Sequence, residues 1–250
     1  MAGHSKWKTI KHRKAAADAK RGKLWSKVSR NIIVAAKSGG GDPSSNLALR
    51  YAIDKAKEAN MPADTIEKAI KKGTGELGAN QFVPAVYEGY GPGGVAFIVD
   101  ALTDNPNRTA PEIKKIFERA GGNMGATNCV SWNFSTKGVF TISAQDVTED
   151  ALMEIALEAG ADDVKRDGET FEVTCDVPAY EAVKQALAAR KIPTQGAEIT
   201  KIPGTTVKVD DPEIGGRVLK LMEAFEDHDD VQNVYSNFDI SEEVMARIES

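Results

Sequence analysis

The sequence predicts an α+β protein: an N-terminal three-helix bundle followed by two α/β layer-sandwich domains of the ferredoxin-like kind, the last inserted in the second. Three observations predict it. Apolar residues recur at helical spacing as far as residue 72, and strand-like runs begin at residue 82. Between residues 136 and 202 the elements then follow the order βαββαβ, the split βαβ of a ferredoxin-like fold. The resulting division is a basic flexible arm (1–19), the bundle (20–78), a discontinuous α/β domain (79–135 plus 203–250) and the inserted domain (136–202).

Leu24, Val28, Ile32 and Ala35 mark the first helix, with Trp25 and Ile33 widening the stripe. "SGGGDP" stops it, because three glycines and a proline cannot continue a helix. Asp42, or Ser44 and Ser45, offer N-caps for a second helix carrying Leu47, Leu49, Tyr51, Ile53 and Ala56. Pro62 opens a third through Ile66, Ala69 and Ile70.

"FVPAVYEGYG" and "GVAFIVDAL" read as a hairpin around a Pro-Gly-Gly turn. "NRTAPEIKKIFERAGG" is a helix with a T-x-x-E capping box from Thr109 to Glu112, and "NCVSWNF" reads as a strand. In the insertion, "GVFTI" is a strand, "TEDALMEIALEAG" a helix, "DVKRD" and "TFEVTC" a hairpin across Gly168, "VPAYEAVKQALAARK" a helix and "TQGAEITKI" a strand. The strand "TTVKV", the helix "DPEIGGRVLKLMEAFEDH" and the strand "VQNVYSNF" are too few for a domain of their own. They are expected to complete the sheet begun before the insertion.

At 250 residues, 41% hydrophobic and 28% charged, the composition is that of a globular protein. No apolar run approaches the ~20 residues that span a bilayer, and the N-terminus lacks the apolar core of a signal peptide. Cys129 and Cys175 have no metal-ligand spacing, so a reducing cytoplasm is the expected location. No membrane partner, cofactor or metal is expected. The formal charge of −5 hides an asymmetry. Residues 1–80 carry 17 basic and 7 acidic side chains, whereas the remainder carries 15 and 30. Such a split points to a polyanion met by one end of the molecule.

Catalytic chemistry finds little support. His4 and His12 lie among cations, and His228 lies in the acidic run "EDHDD", which reads as a solvated turn more readily than as a hard-metal site of Asp227, Asp229 and Asp230. "GTGELG" spells G-x-G-x-x-G, but it follows a basic helix and opens no helix, so it reads as a linker. No nucleophile–base pair can be proposed, and an enzyme is not expected.

The basic end offers more. Eleven cations against one acid, Asp18, within 40 residues predict salt-dependent attraction to phosphate through counterion release. Trp7 and Trp25 could stack on exposed bases, although Trp25 also falls beside the apolar stripe of the first helix. The candidate nucleic-acid-binding residues are His4, Ser5, Lys6, Trp7, Lys8, Lys11, His12, Arg13, Lys14, Lys20, Arg21, Lys23, Lys27, Arg30 and Asn31. Arg30 and Asn31 are the only obvious pair on the first helix suited to base edges.

"AGHSKWKTIKHRK" at the start, "YEGYGPGG" at 87–94, "TDNPNRT" at 103–109 and "NMG" at 123–125 closely resemble the YebC/PmpR-type proteins. The resemblance extends over the whole chain. It implies a small helical domain plus two α/β domains, with Gly3, His4, Ser5, Lys6 and Trp7 in the presumed nucleic-acid-facing end. It also implies a role in gene expression, since the family includes bacterial proteins described as probable DNA-binding transcriptional regulators. Other members are a mitochondrial activator of cytochrome oxidase translation and bacterial factors that help ribosomes through proline runs. Two functions are therefore expected: a DNA-binding transcriptional regulator, or a ribosome-associated translation factor contacting rRNA or tRNA. In either, the acidic α/β domains could face the ribosome or other proteins.

Overall fold

The computed structural model describes residues 17–78 and 82–249, with the side chains of 17–21, 242 and 249 outside that description. Helices α1 (Ala17–Gly39), α2 (Leu47–Glu58) and α3 (Ala63–Gly73) form the bundle. Val28, Ile32, Ile33 and Ala36 of α1 are buried against Leu49, Ala52, Ala56, Ile66 and Ala69. The buried stripe is rotated slightly from the sequence expectation. Leu24 is 47% exposed, and Ala36 takes the core place expected of Ala35.

The α2 cap also differs from expectation. Asn46, not Asp42 or a serine, accepts the amide of Leu49 at 3.1 Å. Its side-chain amide donates to the carbonyls of Ala35 and Gly40, both at 2.8 Å. One buried asparagine thus caps α2 and satisfies carbonyls near the end of α1. Asp42 instead holds Ser44 in the preceding turn. Gly73, the first glycine of "GTGELG", marks a close helix approach: a Cβ there would lie 2.5 Å from the carbonyl oxygen of Ile33.

Strands β1 (Val83–Tyr90) and β2 (Ala96–Thr103) pair antiparallel around Pro92–Gly94, where Gly93 and Gly94 have positive φ. Helix α4 (Pro106–Arg119) and the short β3 (Asn123–Met124) follow. The T-x-x-E box is overturned. Asn105 caps α4 by accepting the amide of Arg108, and Thr109 sits fully buried inside the helix. An Asx cap ahead of a proline at the first helical position sets the helix start earlier than the threonine.

"NCVSWNF" is not one strand either: residues 131–133 form a 3₁₀ turn, and β4 (Phe134–Ser143) absorbs both its last residue and "GVFTI". Then come α5 (Glu149–Glu158), β5 (Ala161–Asp167), β6 (Thr170–Asp176), α6 (Tyr180–Ala189) and β7 (Thr194–Pro203). Their antiparallel sheet has the order β5-β6-β4-β7, the ferredoxin-like arrangement. Residues 131–206 form a compact unit, with Phe140 stacked on Tyr180 at 4.9 Å.

The chain closes with β8 (Val207–Lys208), α7 (Pro212–Glu226), β9 (Val231–Ser236), β10 (Phe238–Asp239) and α8 (Glu242–Glu249). β9 joins β2, completing the sheet β3-β1-β2-β9. β8 does not enter that sheet; it pairs in parallel with β10 as a separate two-stranded ribbon. The terminal helix α8, absent from the sequence reading, buries Val244 and Met245 in the core. That core centres on Phe97, Phe117 and Phe225, with the last two rings 4.7 Å apart edge to face.

Candidate nucleic-acid interface and the acidic turn

His4, Ser5, Lys6, Trp7, Lys8, Lys11, His12, Arg13 and Lys14 lie outside the described residues. Lys20 and Arg21 fall in α1, their side chains outside the description. Asn31 is half-buried on α1. Trp25 belongs to the bundle: it packs against the core and its indole N–H donates to the carbonyl of Ala59 at 2.9 Å.

Lys23, Lys27 and Arg30 fall at i, i+4 and i+7, so they share one face of α1. Read from the sequence as nucleic-acid ligands, all three engage the chain's own acidic turn 226–230. Lys23 donates to the carbonyl of Asp227 and lies 3.8 and 3.7 Å from the carboxylates of Asp227 and Asp229. Lys27 donates to the carbonyl of Glu226 at 2.6 Å. Arg30 donates to the carbonyl of Asp229 and, at 3.0 Å, to the carboxylate of Asp230. The physical reason lies in the end of α7. Its last carbonyls lack helical partners and carry the negative end of the helix dipole, and three acids, Asp227, Asp229 and Asp230, follow directly.

Asp230 is the anchor of this corner. It is 2% exposed and stands just before β9. Besides Arg30, its carboxylate accepts Arg108 at 2.6 Å and the hydroxyl of Thr109 at 2.7 Å, both from α4. Thr103, at the end of β2, shares a 2.7 Å hydrogen bond with Thr109. Burial pushes the Asp230 carboxyl up, but the hydrogen bonds from Thr109 and Arg108 outweigh it and hold it below the usual carboxylate range. Arg108 is correspondingly raised by its hydrogen bond to Asp230. His228 accepts the amide of Asp230 at Nδ1, 3.2 Å away, which leaves Nε2 to donate to Glu112 at 3.0 Å.

Lys23, Arg30, Arg108, Glu112, His228 and Asp230 line a groove of about 600 Å³. Among the described residues, no group of three or more His, Cys, Asp or Glu side chains could hold a metal ion. Asp227, Asp229 and Asp230, the acids of the hard-metal alternative, are drawn toward lysine and arginine instead. Arg108 and Thr109 were missed as partners of Asp230 because no local pattern joins positions more than a hundred residues apart. The one visible trace was the density of charge in "EDHDD".

A second buried carboxylate, Glu88 on β1, is 4% exposed. Its two oxygens accept the amides of Asn128 and Val130, both at 2.9 Å, and so clamp the loop ahead of the insertion. No helix of the described residues is long and apolar enough to cross a membrane.

A helical domain built on a basic leading segment, followed by an α/β domain interrupted by a ferredoxin-like one, defines a three-domain α+β architecture. The chain belongs to the TACO1/YebC family. The model of its N-terminal domain matches residues 5–76, and that of its second and third domains matches residues 82–238. A "Probable transcriptional regulatory protein" of Natranaerobius thermophilus is 54% identical over 98% of this chain and 99% of its own. One of the same description from Syntrophobacter fumaroxidans is 53% identical over 99% and 100%. The crystal structure of a conserved hypothetical protein from Aquifex aeolicus is similar with a TM-score of 0.81 at 47% identity, covering 92% of this chain and 95% of that one. Both of these relatives carry the description of a regulatory protein.

Proposed function

We propose that this chain is a nucleic-acid-binding regulator, a DNA-binding transcriptional regulator anchored by its basic N-terminal segment. The supporting observation is the distribution of charge. Residues 1–22 hold seven cations, Lys6, Lys8, Lys11, Arg13, Lys14, Lys20 and Arg21, against the single acid Asp18. Phosphate neutralised by these cations releases condensed counterions, which supplies affinity without sequence information. Lys55, Lys57 and Lys72 are also exposed on α2 and α3, whereas Lys68 lies 3.4 Å from Asp64. The test is a chain lacking residues 1–16, titrated beside the full chain against labelled duplex DNA. A large loss of affinity is expected, and unchanged affinity removes the segment from the account.

A second reading, a ribosome-associated translation factor, is favoured by one observation. Arg30, half of the pair suited to base edges, is held by Asp230 and the Asp229 carbonyl. Contact with phosphate and RNA shape then fits better than sequence reading in a major groove. Sedimentation of cell extract separates the two. Co-migration with ribosomes that survives DNase supports the translational role, and free protein enriched at promoters supports the transcriptional one.

A further inference from the structure

We infer that the acidic turn 226–230 is an internal competitor for nucleic acid, occupying a phosphate-binding face of α1 that opens when polyanion displaces it. The inference rests on the nucleic-acid reading above. It starts from the ligands of that face: two carboxylates and a carbonyl at Lys23, and a helix-end carbonyl at Lys27, take the hydrogen-bond-acceptor places that phosphodiester oxygens would.

The contact is graded along α1. At one end Arg30, its side chain 20% exposed, meets Asp230, whose side chain is 3% exposed and also held by α4. That end is a fixed pivot. At the other, the Lys23 side chain is 36% exposed and those of Asp227 and Asp229 are 70% and 75% exposed, with separations near 4 Å. Exposed pairs of this kind contribute little and are screened by salt, so they are readily exchanged. The exchangeable end is also the one closest in sequence to the basic arm. A nucleic acid held by residues 6–21 would raise the local concentration of phosphate at Lys23 and Lys27 first, while Arg30 stays in place.

The experiment titrates fluorescein-labelled duplex DNA, over a range of salt, into four full-length forms: the native chain, Asp227→Asn/Asp229→Asn, Lys23→Ala/Lys27→Ala, and the combination. A fifth, Glu213→Gln/Glu223→Gln, removes the same charge from α7 without touching those lysines. Asp227→Asn/Asp229→Asn should tighten binding about five-fold. It should leave the slope of log K against log salt near that of the native chain, because both forms neutralise phosphate with Lys23 and Lys27, whereas the lysine substitutions should flatten it by about 2. The lysine substitutions should weaken the opened form several-fold more than they weaken the native chain. Equal effects of the lysine substitutions in both backgrounds, or the same gain from Glu213→Gln/Glu223→Gln, overturn the competition and leave the nucleic-acid reading intact. Failure of every form to bind overturns both.

Discussion

Glu88 and Asp230 are both buried carboxylates of the α/β domain, yet they do different work. Glu88 spends its oxygens on two backbone amides of a single loop. Asp230 spends its own on side chains from α1 and α4. A carboxylate answered by nearby amides fixes a local shape. One answered by guanidinium groups from separate helices ties those helices together, and its loss strands several charges at once.

Asp230→Ala should therefore be the most damaging single change. It leaves Arg30, Arg108 and Thr109 without their shared acceptor and should destabilise the chain by about 3 kcal/mol, read from urea unfolding. Glu88→Gln should cost about 2 kcal/mol, because a side-chain NH₂ then faces a buried amide. Hydrogen exchange should speed up at Asn128 and Val130 while the Asp230 corner keeps its protection. An equal loss of protection at both corners would erase the distinction between them.

The acid limb sharpens the comparison further. Because the folded Asp230 carboxyl is depressed, its contribution is fully present above the unfolded value of about 3.9 and is lost as pH falls through the lower folded value. Asp230→Asn should flatten the loss of stability below about pH 4, measured by denaturant midpoints across that range. Lys23→Ala, at the exposed end of the same corner, should move stability by less than about 0.5 kcal/mol.

The sequence carried some of this plainly and concealed the rest. The order of the insertion and the three helices were legible because periodicity and glycine stops are local signals, and Gly168 does mark the β5–β6 turn with a positive φ. Thr109 misled because its position relative to Glu112 mimics a cap, whereas its hydroxyl is claimed by Asp230, 121 residues away. The basic stripe was legible as charge, but its occupancy was not. Nothing near Lys23, Lys27 or Arg30 in the sequence announces that the end of α7 will meet them.

The salt dependence of full-length binding to duplex DNA tests the central claim most directly. If the seven cations of residues 6–21 grip phosphate and the bound polyanion also draws Lys23 and Lys27 from the acidic turn, log K should fall with log salt at a slope of about −8. A slope near zero would contradict binding by the basic segment. A slope of about −6 would leave both lysines with the turn and contradict its displacement.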